Sequence, residues 1–244
     1  MIIFDEKKYA ELMLKKGFQT KNKNVYELNI LAKYLHTKYE SDTKVKNELV
    51  AFCEKYLDHF NKDEWYKIVN KTVSSAKRGS LVTDKEVHIA KEELDKIANL
   101  KDIREQQLAF VLLVLYKFYD YKKFEVIIED LYRLAKLNLN SKTKLKLLQS
   151  LTSKDLIDIT MGGKRWVKFA IIKGGDGAIT IKDFDDFVFE YFRYIGIDGY
   201  SGCEKCDKAI KLTNNKKKYC RSCNWLKQKE NWRESKRRNR NVHK

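Results

Sequence analysis

Apolar residues recur at three- and four-residue spacing through residues 1–76, and a polar residue able to cap a helix precedes each run. That pattern predicts a series of short helices. Asp5 caps a first helix that stops at Gly17, and Asn24 opens a second with Val25, Leu28, Leu31 and Leu35 on one face. Thr43 opens a third through Leu49, Phe52, Tyr56 and Leu57, and Asp63 caps a fourth containing Trp65, Ile68, Val69 and Val73. Four helices joined by short loops suit a compact helical domain over residues 1–78. Residues 77–83 break the pattern, with Gly79 and Ser80 as their flexible elements, and mark a domain boundary. Cys53 stands alone in the third helix and reads as a buried, inert thiol.

A different order of elements fills residues 84–198, the expected middle domain. A helix over 84–97 precedes one over 104–119, whose Leu108, Val111, Leu112, Leu115 and Tyr116 read as fully buried. A third helix follows over 124–137. Asn140 or Ser141 then caps a helix with Leu145, Leu148 and Leu151 at core spacing, and Lys142, Lys144 and Lys146 turned largely elsewhere. Residues 156–160 and 166–172 flank Gly162-Gly163 with Lys164 and Arg165 at the tip, which predicts a β-hairpin. Residues 174–177, Gly-Gly-Asp-Gly, read as a plain turn because the Gly-Lys-Ser/Thr ending of a phosphate loop is missing. A strand over 178–181 and an aromatic-rich helix over 185–195 follow. Asp183, Asp185 and Asp186 read as helix caps rather than as a metal-dependent nuclease cluster.

Three helices followed by a glycine-tipped hairpin with a basic tip resemble the winged helix-turn-helix fold over residues 103–172. In that family the third helix enters the major groove and the wing lies along the backbone or minor groove. The resemblance therefore implies nucleic-acid contacts at Lys142, Lys144, Lys146, Lys164 and Arg165. Lysine supplies phosphate contacts, and Asn138, Asn140 and Gln149 are the residues here suited to reading base edges. Packing or protein binding by the same unit is the competing reading.

The sharpest motif lies in residues 199–244. Cys203-Glu-Lys-Cys206 and Cys220-Arg-Ser-Cys223 are two C-x2-C pairs separated by thirteen residues. Each pair presents two sulfurs from one tight turn, and four thiolates in a tetrahedron suit one structural Zn²⁺. Between them, Ala209, Ile210 and Leu212, then Asn214-Asn215, then Lys216, Lys217, Lys218 and Tyr219 predict strand, turn and returning strand, a zinc ribbon. Four cysteines close the coordination shell, which leaves no open position for catalysis. Residues 224–240 read as a basic helix with Trp225 and Trp232 on one face, and Glu230 with Arg233 and Glu234 with Arg238 spaced as supporting pairs.

Charge sharpens this picture. The chain carries +17 overall, and residues 201–244 hold fifteen Lys and Arg against four Asp and Glu. A polyanion is the expected partner, and Lys216, Lys217, Lys218, Arg221, Arg233, Arg237, Arg238 and Arg240 are its candidate contacts. With 43% hydrophobic and 35% charged residues, the composition is that of a folded protein with a heavily charged surface. The longest apolar run, residues 108–116, is about half a membrane span. No signal-peptide pattern opens the chain, so a cytoplasmic location is expected.

The Tyr-Cys-x-x-Cys motif followed by a Lys/Arg helix, after a long helical body rich in Lys and Tyr, resembles uncharacterised proteins of phages and mobile elements in low-GC bacteria. The resemblance implies a bacterial host cytoplasm. The expected function is non-enzymatic binding of double-stranded DNA, as a regulator or replication accessory. The alternative is a protein-binding inhibitor of a host defence complex, and a metal-dependent nuclease ranks last. The expected fold is mainly α with small β elements. The sequence does not specify an oligomeric state.

Overall fold

The computed structural model describes residues 2–20, 24–160, 166–170, 177–213 and 217–242, with backbone alone at 24 and 238–242. It is mainly helical, with three small antiparallel sheets among the described residues, and divides into two compact units, Met1–Lys85 and residues 86–244.

The first unit is four helices, α1 (Glu6–Lys16), α2 (Asn24–His36), α3 (Asp42–Tyr56) and α4 (Lys62–Lys77). Asp5 caps α1 by accepting the Lys8 N–H at 2.9 Å, and Gly17 ends it at φ 81°, where an added Cβ would sit 2.6 Å from Tyr56 Cδ1. Two starts differ from the sequence expectation. Helix α3 begins one residue before Thr43, and the cap of α4 is Asn61, which accepts the Asp63 N–H at 2.9 Å. Asp63 instead lies in the first turn, where a carboxylate complements the helix dipole. The core gathers Met13, Leu28, Leu31, Leu49, Val69 and Val73. Cys53 is buried there, and burial pushes its thiol up to about 12. Two buried carboxylates are fully engaged. Glu6 accepts from Lys33 Nζ at 3.0 Å and the Val82 N–H at 2.9 Å, and Glu27 accepts from Tyr9, Gln19 and Thr20.

The second unit is built around a helix that is apolar on all sides over residues 108–116. It opens with β1 (Val87–Ala90), then α5 (Lys91–Ala98) and α6 (Ile103–Phe118). Eleven of the sixteen residues of α6 are buried, as a central helix requires. Next come β2 (Phe124–Glu125), α7 (Ile128–Leu134), α8 (Ser141–Ser153), β3 (Ile157–Ile159) and β4 (Trp166–Phe169). Asn140 caps α8 by accepting the Thr143 N–H at 2.9 Å. Strands β2, β4 and β3 form one antiparallel sheet in that order, with Phe124 opposite Val167 and Ile157 opposite Phe169.

After β5 (Gly177–Ile181) and α9 (Val188–Tyr194) the chain ends in β6 (Tyr200–Gly202), β7 (Ala209–Lys211) and α10 (Arg221–Val242). The expected helix over 84–97 is therefore strand over Val87–Ala90 and helix only from Lys91: Val87 and Ile89 point inward around exposed His88, and β1 pairs with β5 through Val87 opposite Ile181. The expected helix over 124–137 likewise yields its first residues to β2, because Phe124 pairs with Val167. The hairpin tip at 161–165 and most of the Gly-Gly-Asp-Gly turn lie outside the described residues, and Gly177 begins β5.

Candidate metal centre

Helix α9 is the platform on which the cysteine module is built. Its inner face is fixed to α6, where Phe110 stacks on Tyr191 at 5.1 Å and the Tyr191 hydroxyl donates to Gln106 Oε1 at 3.0 Å. Its outer face holds the module at three points. Phe189 and Phe192 cradle Tyr200 of β6 at 5.1 and 4.8 Å between ring centroids. The Ala209 N–H of β7 donates to Glu190 Oε1 at 2.7 Å, where burial pushes the Glu190 carboxyl above its ordinary value. Arg193 grips Asp207 through its backbone carbonyl at 2.5 Å and through both carboxylate oxygens at 3.0 and 2.9 Å. Gly202 makes this approach possible, since a Cβ there would lie 2.4 Å from Asp207 Oδ1 and 2.8 Å from Arg193 Nη1.

The first cysteine pair occupies the turn between β6 and β7. Cys203 N–H donates to Lys208 O at 2.9 Å and Asp207 N–H to Cys203 O at 2.8 Å, closing the knuckle. Asp207 takes φ 57°, a left-handed conformation that aspartate tolerates better than most residues. The second pair departs from the ribbon expectation. Instead of a second hairpin, Cys220 directly precedes α10 and Cys223 lies in its first turn, with the Asn224 N–H donating to Cys220 O at 2.9 Å. The strand β7 pairs backward with β6, Tyr200 opposite Lys211, and not forward with residues 217–219. Those residues are tied to the knuckle at Glu204, whose N–H donates to Lys218 O at 3.0 Å and whose carboxylate pairs with Lys218 Nζ at 2.9 Å.

The four sulfurs converge. All lie within 4.8 Å of one another, with Cys206 and Cys220 at 3.8 Å. A tetrahedron with metal–sulfur bonds of about 2.3 Å requires sulfur separations of about 3.8 Å, whereas a disulfide requires about 2.05 Å. All four thiols are free, and Cys203, Cys220 and Cys223 are buried. The donor set and spacing fit one thiophilic ion such as Zn²⁺, and four protein ligands would close its shell. The backbone prepares the sulfurs for negative charge: the Cys220 N–H points at Cys203 Sγ at 3.3 Å and the Cys223 N–H at Cys220 Sγ at 3.4 Å. Burial works against ionisation of Cys203, yet N–H groups of Cys220, Lys205 and Cys206 outweigh it and bring the thiol down to about 6. Cys223, hydrogen-bonded to the Cys220 sulfur, is pushed up to about 12, and burial raises Cys206. Metal-free, the set cannot carry four adjacent negative charges, so a metal would enter as protons leave.

From this clasp α10 runs for 22 residues, or about 33 Å. Every residue of it from 221 to 237 is exposed except Cys223. It carries eight Lys and Arg against two Glu. Arg221, Arg233 and Arg237 stand on its surface, while the side chains of Arg238 and Arg240 lie outside the described residues. Its first three turns are steadied by Lys227 Nζ on the Tyr219 hydroxyl at 3.0 Å and by Lys205 paired with Glu230 at 3.7 Å. Lys217 donates to Lys211 O at 2.7 Å and Lys218 pairs with Glu204, so both are partly committed. Lys216, Lys164 and Arg165 lie outside the described residues. On α8, Lys142 and Lys146 are exposed, whereas Lys144 folds back over the Tyr132 ring at 5.5 Å.

Two of the three carboxylates that precede α9 are occupied: Asp183 accepts the Asp185 N–H and pairs with Lys208 at 2.6 Å, and Asp186 pairs with Lys136. Among the described residues the four cysteines are the one group placed to hold a metal. No described helix is long and apolar enough to cross a membrane. The Glu190 and Arg193 clamps went unforeseen, because within their own helix they look like ordinary polar positions and their partners lie well downstream in the chain. Comparison with protein families, curated proteins and solved structures finds no match for this chain.

Proposed function

We propose that this protein is a non-enzymatic nucleic-acid-binding protein directed at double-stranded DNA, in which one zinc ion held by Cys203, Cys206, Cys220 and Cys223 fixes a basic helix for phosphate contact. The observation that carries this reading is α10 itself: an exposed helix with eight cationic residues against two acidic ones, clasped at its first turn by the cysteine cluster. A polyanion is the partner such a surface attracts, and nucleic acid is the commonest. A fixed helix loses little entropy on binding compared with a flexible basic tail.

The middle of the chain supports duplex DNA over other polyanions. Three helices, α6, α7 and α8, precede a hairpin, and the sheet runs β2-β4-β3 with the hairpin strands β3 and β4 adjacent. This order suits a winged-helix-like unit, with α8 as the third helix and Lys142 and Lys146 presented outward from its first two turns. Lys164 and Arg165 would then belong to the wing. Regulation or replication of a phage or mobile element in the bacterial cytoplasm is the biological setting the reading favours.

The test is duplex binding across a salt series. With about 5 to 8 phosphates neutralised, log affinity should fall against log salt with a slope of about −4 to −7. Changing Lys142 and Lys146 to alanine should weaken binding and make the slope shallower by about 2. A zinc-loaded chain with no affinity for duplex even at low salt would defeat the proposal.

A further inference from the structure

The two indoles of α10 are left in water. Trp225 is 57% and Trp232 58% exposed, although an indole is among the side chains with most to gain from burial. They stand seven residues apart, hence on one face and about 10 Å apart along the helix axis. A lysine follows each at the fourth position. Lys229 Nζ lies 4.9 Å from the Trp225 ring centroid, and Lys236 Nζ lies 3.9 Å from that of Trp232. Along this face the order is therefore aromatic, cation, aromatic, cation.

Three occupants compete for such a face, and charge and shape separate them. A second copy of the helix would bring the same cationic excess and repel the first. An anionic lipid surface would match the charge, but an interfacial helix needs a broad apolar face. Between residues 221 and 240 the large exposed apolar side chains are Trp225, Leu226 and Trp232. An unpaired nucleic-acid strand meets both features at once, because bases stack on flat exposed rings while phosphates meet the intervening cations. A duplex can use the cations but keeps its base faces inside its own stack.

The geometry points to α10 as a single-strand-binding element. Trp225 and Trp232 serve as stacking platforms for two unpaired bases, separated by about three nucleotide steps at duplex spacing, while Lys229 neutralises phosphate between them and Lys236 phosphate just beyond Trp232. This rests on the nucleic-acid reading above and adds unpaired bases, in a single strand or beside a duplex, to the form of substrate.

The experiment compares a short oligothymidylate with a blunt duplex, using the full zinc-loaded chain. Intrinsic tryptophan emission and the anisotropy of the labelled strand are read together. Addition of the single strand should quench the emission, and that quenching should vanish in the Trp225→Phe/Trp232→Phe variant, where Trp65 and Trp166 remain. Each Trp→Ala change should weaken single-strand binding roughly tenfold, within the range stacking allows, and leave duplex affinity and its salt slope in place. The phenylalanine variant should recover part of the loss, and zinc content and far-ultraviolet dichroism should confirm that each variant is folded. Equal losses on both strand forms, or indole-dependent self-association or vesicle binding in place of quenching, would overturn the assignment. Duplex binding without single-strand quenching overturns this inference alone, whereas a wild-type chain that binds neither form overturns the underlying reading as well.

Discussion

The helical unit of residues 1–85 and the cysteine module of residues 199–242 show two ways of making a fixed shape. The first buries an extensive apolar core from Ala10 to Ala76 and closes its two buried carboxylates with internal donors. The second has a core of Cys203, Ile210, Cys220 and Cys223, with Leu212 and Tyr219 packed against it. At about 25 cal/mol per Å² of apolar surface, so few side chains cannot offset the entropy of ordering some forty residues. Residues 1–85 therefore hold their shape without help, whereas the module depends on what its sulfurs bind and on α9 behind them. The proposed function rests on the second kind of site, where stability is local and conditional.

Removing the metal is the strongest way to break this contrast. Chelation, or Cys220→Ser, should unfold the module and α10, with a loss on the order of 10 kcal/mol of metal-linked folding energy. Helices α1 to α4 should keep their amide protection in hydrogen exchange. Metal return at neutral pH should release at least the protons of Cys206 and Cys223, whose thiols lie above their ordinary value, and fewer from Cys203, whose thiol backbone N–H groups hold below it. Zinc affinity should accordingly fall as pH drops, a trend measurable by calorimetry in buffers of different ionisation enthalpy. Equal loss of protection in residues 1–85 would erase the distinction between the two regions.

The reciprocal change lies in the apolar core. Leu31 is fully buried, so Leu31→Ala should cost about 2–5 kcal/mol through lost burial and a residual cavity. Denaturant unfolding should show that loss, with zinc stoichiometry unchanged.

The smallest effect sharpens the picture of the module's support. Gly202→Ala would push aside the ends of Asp207 and Arg193, which are flexible side chains, so the cost is their ion pair rather than the backbone. Asp207 is 81% exposed and Arg193 35%, which holds that cost to about 1 kcal/mol. Arg193→Ala should cost a similar amount, and the double variant should be no worse than either single one, because both remove the same contact. Rates of zinc transfer to a chelator would register these differences. Additive losses would show that the two residues act separately.

What could be read from the sequence follows from which signals are local. The cysteine spacing, the Asp5 and Asn140 caps and the apolar run 108–116 of α6 are written within a few residues of one another, and the structure carries each of them. Strand β1 was hidden for the opposite reason. Val87 and Ile89 alternate around His88, but what makes them a strand is Ile181 and Ile179, about ninety residues later. Strand β2 similarly needs Val167 to draw Phe124 out of a helix. The ribbon expectation assigned a returning strand to the lysine-rich approach to Cys220, a segment with no alternation of apolar and polar residues. The chain instead places its second cysteine pair where a helix begins, with backbone N–H groups free to face the sulfurs. The candidate nucleic-acid contacts were legible only as charge, and structure separates them: Lys142, Lys146, Arg221, Arg233 and Arg237 stand exposed on the surface, while Lys144 and Lys217 are drawn to neighbours.

The most direct measurement is elemental analysis of the purified full-length chain, paired with cobalt substitution to read the ligand field. The account predicts one zinc per chain, lost in Cys220→Ser, and a tetrahedral tetrathiolate spectrum for the cobalt form. A folded chain with an ordered α10, no bound metal and four reactive thiols would contradict it.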